Sequence, residues 1–308
     1  MNNLKQSIIM LPNFIVIGGQ KCGSTYLHDV LDEHPDVYLT PGETPYFQNP
    51  DYQETKIEDF EKLFDKAQNY RSIGIKRPDY LAKDECPPRI KKHIPEAKII
   101  VILRNPVSRA IAAYYHYIKS GFAPLCSVNE GMKEILHGNL KHIYPRTAEI
   151  VEYGFYYKHL QKYFAHFDKQ QIHIILLDDL KKDHLTIIKQ LYGFLGVDSA
   201  FIPYKSLKKK PQKVIYSMAG LKLVSQVNKL NYTYSSDKMR RYPKDNTLIS
   251  KVRLKVTNGM INFLASRIYV NTKPQASPEL KQKLYAIYEE DILQLEQLIK
   301  RDLSVWKH

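Results

Sequence analysis

A chain of 308 residues in which 46 lysines and arginines face 32 aspartates and glutamates carries a formal charge of +14. That balance favours anionic partners such as nucleotides, acidic glycans, nucleic acid or membrane surfaces, and the length suffices for one large α/β domain or two smaller ones. Cys22, Cys86 and Cys126 are odd in number, far apart and without a Cys-x-x-Cys pair or a histidine cluster at ligand spacing, which excludes a disulfide framework and a thiolate metal site.

No apolar run approaches the ~18 residues of a transmembrane helix. The opening MNNLKQSIIMLPN has one lysine and a short apolar run, the pattern of neither a signal peptide nor an anchor. A soluble, cytoplasmic protein with reduced thiols is expected.

Phe14 to Ile17 read as a buried strand, and Leu27, Val30 and Leu31 recur beyond it at helical spacing. Between them lies Gly-Gly-Gln-Lys-Cys-Gly-Ser-Thr, residues 18–25. The glycines permit a sharp turn close to a ligand, Ser24 and Thr25 are placed to cap the helix and offer its free N–H groups to an anion, and Lys21 adds a full charge. A phosphate-like group suits such a loop. In a Walker A loop the lysine directly precedes the hydroxyl that binds magnesium. Here Gly23 follows Lys21-Cys22 instead, so a P-loop kinase is the weaker reading.

A short extended piece over Val37–Leu39 leads into a loop that Pro41 and Pro45 keep out of any helix. Glu43 in this loop is flanked by Tyr46 and Phe47, where partial burial would make its carboxylate a better base. A charged amphipathic helix is predicted over 51–68, and a strand from Ser72 to Ile75 ends at Lys76-Arg77-Pro78-Asp79-Tyr80. Residues 97–103 form a second buried strand that stops at Arg104-Asn105-Pro106, with a helix over Val107–Tyr117. Further helices are expected around 127–137, 150–166 and 184–195, and another strand over Ile172–Leu177.

From Phe201 to Thr272 the chain is harder to read, being basic and tyrosine-rich in its later part, with Lys208-Lys209-Lys210 before Pro211. It is taken as the acceptor-facing and lid region, although a charge run is equally a solvated face. Ser277-Pro278 opens a packing helix to Lys300 with Leu284, Ile287, Ile292, Leu295 and Leu298 near helical spacing.

The alternation of strands and helices predicts an α/β, three-layer P-loop-like fold with a central parallel sheet flanked by helices, expected as one domain over 1–308. Lys21, Lys76 and Arg104 each fall at the carboxyl end of a strand, the edge where such sheets bind ligands. Three cations at one edge would assemble a pocket for a polyanion. A nucleic-acid-binding module would need basic and aromatic residues on one face and no deep pocket, so nucleic acid is not the expected partner.

IGGQKCGSTYL, GETPYF, GIKRPDYL, VILRNPVSRAIAAYYH, EYGFYYKHL, LLDDLKKD, YGFLGV and the C-terminal stretch from Ser277 to Trp306 together resemble the sulfotransferases that use 3′-phosphoadenosine 5′-phosphosulfate. Within them the chain looks most like the branch of heparan sulfate and bacterial carbohydrate sulfotransferases. The resemblance implies that Lys21 bridges the donor's 5′-phosphate and leaving oxygen, while Gly23, Ser24 and Thr25 contact the phosphosulfate. Arg104 would hold the 3′-phosphate, since a guanidinium grips phosphate bidentately.

The resemblance further implies that Glu43 is the general base and that Lys76 stands beside base and sulfuryl group. Lys210 falls where a family loop closes over the donor. The chain departs from the family pattern at Gly42, usually lysine, at Ala112, usually the serine that joins the arginine on the 3′-phosphate, and at Ile75 and Arg77. Ser108, one turn earlier, is placed to substitute for that serine. His116 is an alternative base. The implied activity is transfer of a sulfuryl group to a hydroxyl of an oligosaccharide, polysaccharide or glycolipid, releasing adenosine 3′,5′-bisphosphate and needing no metal. A nucleotide-binding pseudoenzyme is the alternative.

Overall fold

Five short strands, β1 Phe14–Val16, β2 Val37–Leu39, β3 Ser72–Lys76, β4 Lys98–Leu103 and β5 Ile172–Leu176, form one sheet in the order β2-β3-β1-β4-β5. Every neighbouring pair is parallel. The computed structural model describes residues 10–209, 215–244 and 275–307, together with 247, 256, 257, 259 and 263. Strand β1 and Ile99 to Leu103 of β4 are 0% exposed. A strand covered on both faces has no polar side to show, which is why these two read in the sequence as unbroken apolar runs.

The helices in chain order are α1 Ser24–Asp32, α2 Ile57–Glu61, α3 Cys86–His93, α4 Pro106–Ser120, α5 Val128–Leu136 and α6 Glu149–Glu152. They continue as α7 Tyr156–Phe164, α8 Leu177–Lys182, α9 His184–Leu195, α10 Tyr204–Lys208, α11 Met218–Asn231 and α12 Pro278–Ile299. After α11, β6 Tyr232–Tyr234 and β7 Arg241–Pro243 make an antiparallel hairpin. The fold is thus α/β with a central parallel sheet. Among the described residues no helix is long and apolar enough to cross a membrane.

The chain divides into two compact units. The first comprises Met1–Arg104, Tyr156–Lys210 and Gln294–Arg301 and contains the parallel sheet. Val30, Leu31, Ile90, Leu160, Ile188 and Leu191 are buried in it, and the Tyr192 hydroxyl donates to the Val30 carbonyl at 2.9 Å. Helix α10 is fastened to α1: the Glu33 carboxylate accepts from the Lys205 and Ser206 amides, and Lys209 pairs with Asp29 at 2.6 Å. Glu33 there neutralises the positive end of a short helix.

The second unit comprises Asn105–Phe155, Pro211–Leu293 and Asp302–His308. Asn105 opens α4 by accepting from the Ser108 amide at 3.0 Å and donates to the Trp306 carbonyl at 2.9 Å. Ser127 and Glu130 open α5 with reciprocal caps. Tyr288 of α12 is fully buried and donates to the Val151 carbonyl at 2.8 Å.

Two expected helices are corrected, and a third keeps its bounds but turns a different residue inward. The segment 51–68 holds only α2, between 3-10 turns at Glu54–Lys56 and Lys62–Phe64. Its backbone follows an aromatic cluster, with Tyr46 stacked on Phe60 at 4.4 Å and Phe60 against Phe64 at 5.2 Å. The expected helix over 150–166 is two, because Gly154 and Phe155 tighten into bonds to Val151 and Glu152 and end α6. In α12, Ile287 is exposed and Tyr288 takes the inward position with Leu280, Leu284, Ile292 and Leu295. Helix α8 was hidden in the sequence by Asp178 and Asp179, which occupy its first turn.

Candidate active site

The loop after β1 is shaped by backbone as much as by side chains. A Cβ on Gly18 would run into the backbone nitrogen of Ile102, so glycine alone lets the chain leave the sheet so close to β4. Lys21 has φ 68 and Gly23 φ 108, both left-handed, and the Cys22 amide donates to the Gly19 carbonyl at 3.0 Å. Gly23 itself occupies the N-cap of α1 with no side-chain cap. The expectation that Ser24 and Thr25 cap the helix is therefore corrected: they are its first two residues. Their amides belong to the first turn, which has no intrahelical acceptor and so offers free N–H groups to an anion.

Behind the loop, the Tyr156 hydroxyl donates to the Arg104 carbonyl at 2.8 Å and lies 3.4 Å from the Cys22 thiol. The thiol also donates to the Gln20 carbonyl at 3.8 Å, so Cys22 ties the loop to itself as well as to Tyr156. Arg104 in turn donates from Nη1 to the Lys21 carbonyl at 3.3 Å. Arg104 is thus held against the lysine loop. Tyr156 stands within the EYGFYYKHL stretch, but nothing in the sequence marks it as the residue behind the loop.

Lys76 was expected just past the third strand and is instead the last residue of β3, opposite Val16 of β1 and only 5% exposed. Burial pulls its ammonium below the ordinary lysine range, and the Glu43 and Asp29 carboxylates oppose that shift. Lys21, Lys76 and Arg104 consequently sit at the carboxyl ends of three adjacent strands, β1, β3 and β4.

The Glu43 loop is bonded onto β3. The Thr44 amide donates to the Lys76 carbonyl at 3.0 Å, the Tyr80 hydroxyl donates to the Thr44 carbonyl at 2.6 Å, and the Phe47 amide donates to the Tyr80 hydroxyl at 2.9 Å. Partial burial of Glu43 was expected, yet its side chain is 43% exposed and pairs with Arg77 Nη1 at 2.6 Å. Gly42, just before it, is left-handed with φ 80.

Arg77 is the site residue that sequence reading missed. Its guanidinium donates to Glu43, to Asp79 at 3.1 Å and from Nε to Gln48 at 3.0 Å. Burial draws it down, but Asp79 and Glu43 together hold it above its ordinary value. Asp79 also accepts from Gln20 of the lysine loop at 3.2 Å, so one polar chain runs from that loop to Glu43.

Ser108 and Ala112 lie one turn apart on α4 in the second unit, both part-exposed. His116, on the same helix, is part-exposed with its ring edge-on to Tyr117 at 6.0 Å. Lys210 lies outside the described residues.

A parallel α/β sheet that gathers a glycine-rich loop at a helix start and three cations at the carboxyl ends of adjacent strands defines an α/β protein with a candidate site for an anionic ligand. The sulfotransferase domain pattern matches residues 11–297, and the chain belongs to the sulfotransferase family. It is an enzyme of sulfuryl transfer. It is 30% identical over 216 residues to the mouse bifunctional heparan sulfate N-deacetylase/N-sulfotransferase 4, covering 66% of this chain and 24% of that protein. With mouse heparan sulfate glucosamine 3-O-sulfotransferase 5 it shares 27% over 217 residues, 66% of this chain and 58% of the relative. The chain thus spans between about a quarter and 58% of the length of these relatives. A sulfotransferase from Alicyclobacillus acidocaldarius has the same fold, with a TM-score of 0.67 and 23% identity over 97% of this chain and 100% of that one.

Proposed function

We propose that this sulfotransferase moves the sulfuryl group of 3′-phosphoadenosine 5′-phosphosulfate to a hydroxyl of a carbohydrate-type acceptor, an oligosaccharide, polysaccharide or glycolipid. The observation that carries the reading is the set of Lys21, Lys76 and Arg104 at the carboxyl ends of β1, β3 and β4, around a left-handed loop at a helix start. That set fits two phosphates and a sulfuryl group, because three cations and oriented amides meet distributed negative charge without a metal's help. The similarity to heparan sulfate enzymes supports a carbohydrate acceptor.

Each residue then has a task. Glu43 takes the proton of the acceptor hydroxyl as its oxygen bonds to sulfur, and the bond from sulfur to the 5′-phosphate oxygen breaks. Lys21 meets the charge that grows on that leaving oxygen, with Gly23, Ser24 and Thr25 offering amides and hydroxyls. Lys76, poorly solvated and so a strong local cation, faces Glu43 and the transferred group. Arg104 holds the 3′-phosphate. The family pattern over 11–297 supports reading the chain as one sulfotransferase domain; the acceptor-facing role of 201–272 with Lys210 and a cytoplasmic location belong to the proposal alone.

The test is thermal unfolding with ligand. Adenosine 3′,5′-bisphosphate at a hundredfold its Kd should stabilise the chain by about 2.7 kcal/mol. Stabilisation by ATP with magnesium and none by the bisphosphate would sink the donor assignment.

A further inference from the structure

The charge of this chain is not spread along it. Residues 199–278 hold 16 lysines and arginines and, as acids, only Asp237 and Asp245, while the rest of the chain balances at 30 of each sign. That stretch therefore carries the whole +14. Apart from Lys210, none of its cations has a task in sulfuryl transfer.

Where this stretch is described in the second unit, apolar side chains stand exposed among the cations. On α11, Leu221, Val224 and Asn228 are buried, whereas Met218, Lys222, Gln226, Lys229 and Leu230 are exposed. The helix ends at Asn231. Its carbonyl accepts from the Lys244 amide at 2.9 Å and its side chain donates to the Thr257 hydroxyl at 3.1 Å. Those two bonds bring the end of the β6–β7 hairpin and residues 256–257 to the last turn of α11. Leu230 is 68% exposed there, Val256 60% and Tyr242 49%, with Lys229 and Lys244 exposed beside them.

A soluble acidic polymer would satisfy the lysines but gives an exposed leucine and valine nothing. The headgroup layer of an anionic bilayer offers all three elements at once: phosphates for lysine, a place at the interface for tyrosine, and the acyl boundary for Leu230 and Val256. We propose that the last turn of α11 with the β6–β7 hairpin docks this enzyme peripherally on an anionic membrane surface. Docking of this kind is independent of which donor or acceptor the site uses. It would bring a lipid-linked acceptor to the enzyme by confining both to one plane.

The experiment is co-sedimentation of the full chain with vesicles of phosphatidylcholine alone or mixed with phosphatidylglycerol, at low and raised salt. The chain should pellet with the mixed vesicles and not the neutral ones, and salt should release it. At roughly fivefold in partitioning per cation held at an anionic surface, Lys229→Gln with Lys244→Gln should weaken binding on the order of 25-fold. Leu230→Ser with Tyr242→Ser should weaken it while leaving its salt response intact, and unchanged melting temperatures check that the variants fold. Equal pelleting with neutral vesicles would overturn the proposal. So would binding indifferent to Leu230→Ser but displaced by a soluble acidic polysaccharide, which would make the patch a polymer site.

Discussion

Arg77 shows how a residue can look incidental in sequence and be central in space. It departs from the family pattern, and its partners Glu43 and Gln48 lie 34 and 29 residues away, so no local spacing announces the contact. Lys21 and Arg104 were legible because each follows an apolar run that reads as a strand, and Lys76 because it closes the short strand Ser72–Lys76. With Asp79 and Gln48 fixing Arg77, the Glu43 carboxylate is held through Oε2, and on the proposed function its other oxygen meets the acceptor. Glu43→Gln should lower turnover by ~10²-fold or more with donor affinity unchanged. Arg77→Met should cost turnover about tenfold at unchanged donor Kd, and that loss should vanish in the Glu43→Gln background. Near-native turnover of Glu43→Gln removes the base assignment, whereas a null effect of Arg77→Met alone removes only the clamp.

Lys76 carries a stability consequence whose sign can be worked out. Its folded value is depressed, because burial disfavours the ammonium more than Glu43 and Asp29 favour it. Between the folded value and the ordinary 10.5, the unfolded chain binds the extra proton, so stability rises with pH through that window. Below it the penalty is constant. Lys76→Met should therefore raise the melting temperature at neutral pH and flatten its rise in alkali, while lowering turnover. A melting temperature that falls on substitution would show that the ammonium has favourable partners when folded.

At the scale of elements, the sequence predicts strands better than helix ends. Strands β1 and β4 announce themselves through unbroken apolar runs, but helix continuity over 51–68 and 150–166 was settled by aromatic packing at Phe60 and Phe64 and by the turn at Gly154. Similarly, helical spacing alone favoured Ile287 as a core residue, whereas the buried hydroxyl bond of Tyr288 to Val151 selects the neighbouring face. The loop-to-α1 junction is the element on which the site depends. At φ 108, with Leu177 Cδ1 3.1 Å from where a Cβ would lie, Gly23→Ala should cost about 1–2 kcal/mol in chemical denaturation. It should also weaken bisphosphate binding, because the amides of the first turn are re-aimed. Unaltered stability would mean that the left-handed turn is not needed in solution.

At the scale of the whole chain, the strand order does what no motif could. Lys21 and Arg104 are separated by 83 residues, and they meet because β1 and β4 are neighbours in the sheet although two strands intervene in the sequence. The strands of the parallel sheet were readable from their apolar runs, whereas the β6–β7 hairpin was not, and neither was strand order, since it depends on the path of crossovers through space. The meeting is direct: Arg104 donates to the Lys21 carbonyl. On the proposed function Arg104 therefore has two jobs, gripping a phosphate and holding the loop that presents Lys21. Arg104→Ala should weaken bisphosphate binding by roughly 1.5–3 kcal/mol, the worth of a charged hydrogen bond. Lys21→Ala should lose donor affinity and turnover together, because its charge meets the phosphosulfate both before and during transfer. If the carbonyl bond matters, the two losses are not additive, and a double-mutant cycle read by calorimetry should leave a coupling of ~0.5–3 kcal/mol. Additive losses would make Arg104 a phosphate ligand and nothing more, and an unchanged Kd for Arg104→Ala would place the 3′-phosphate elsewhere.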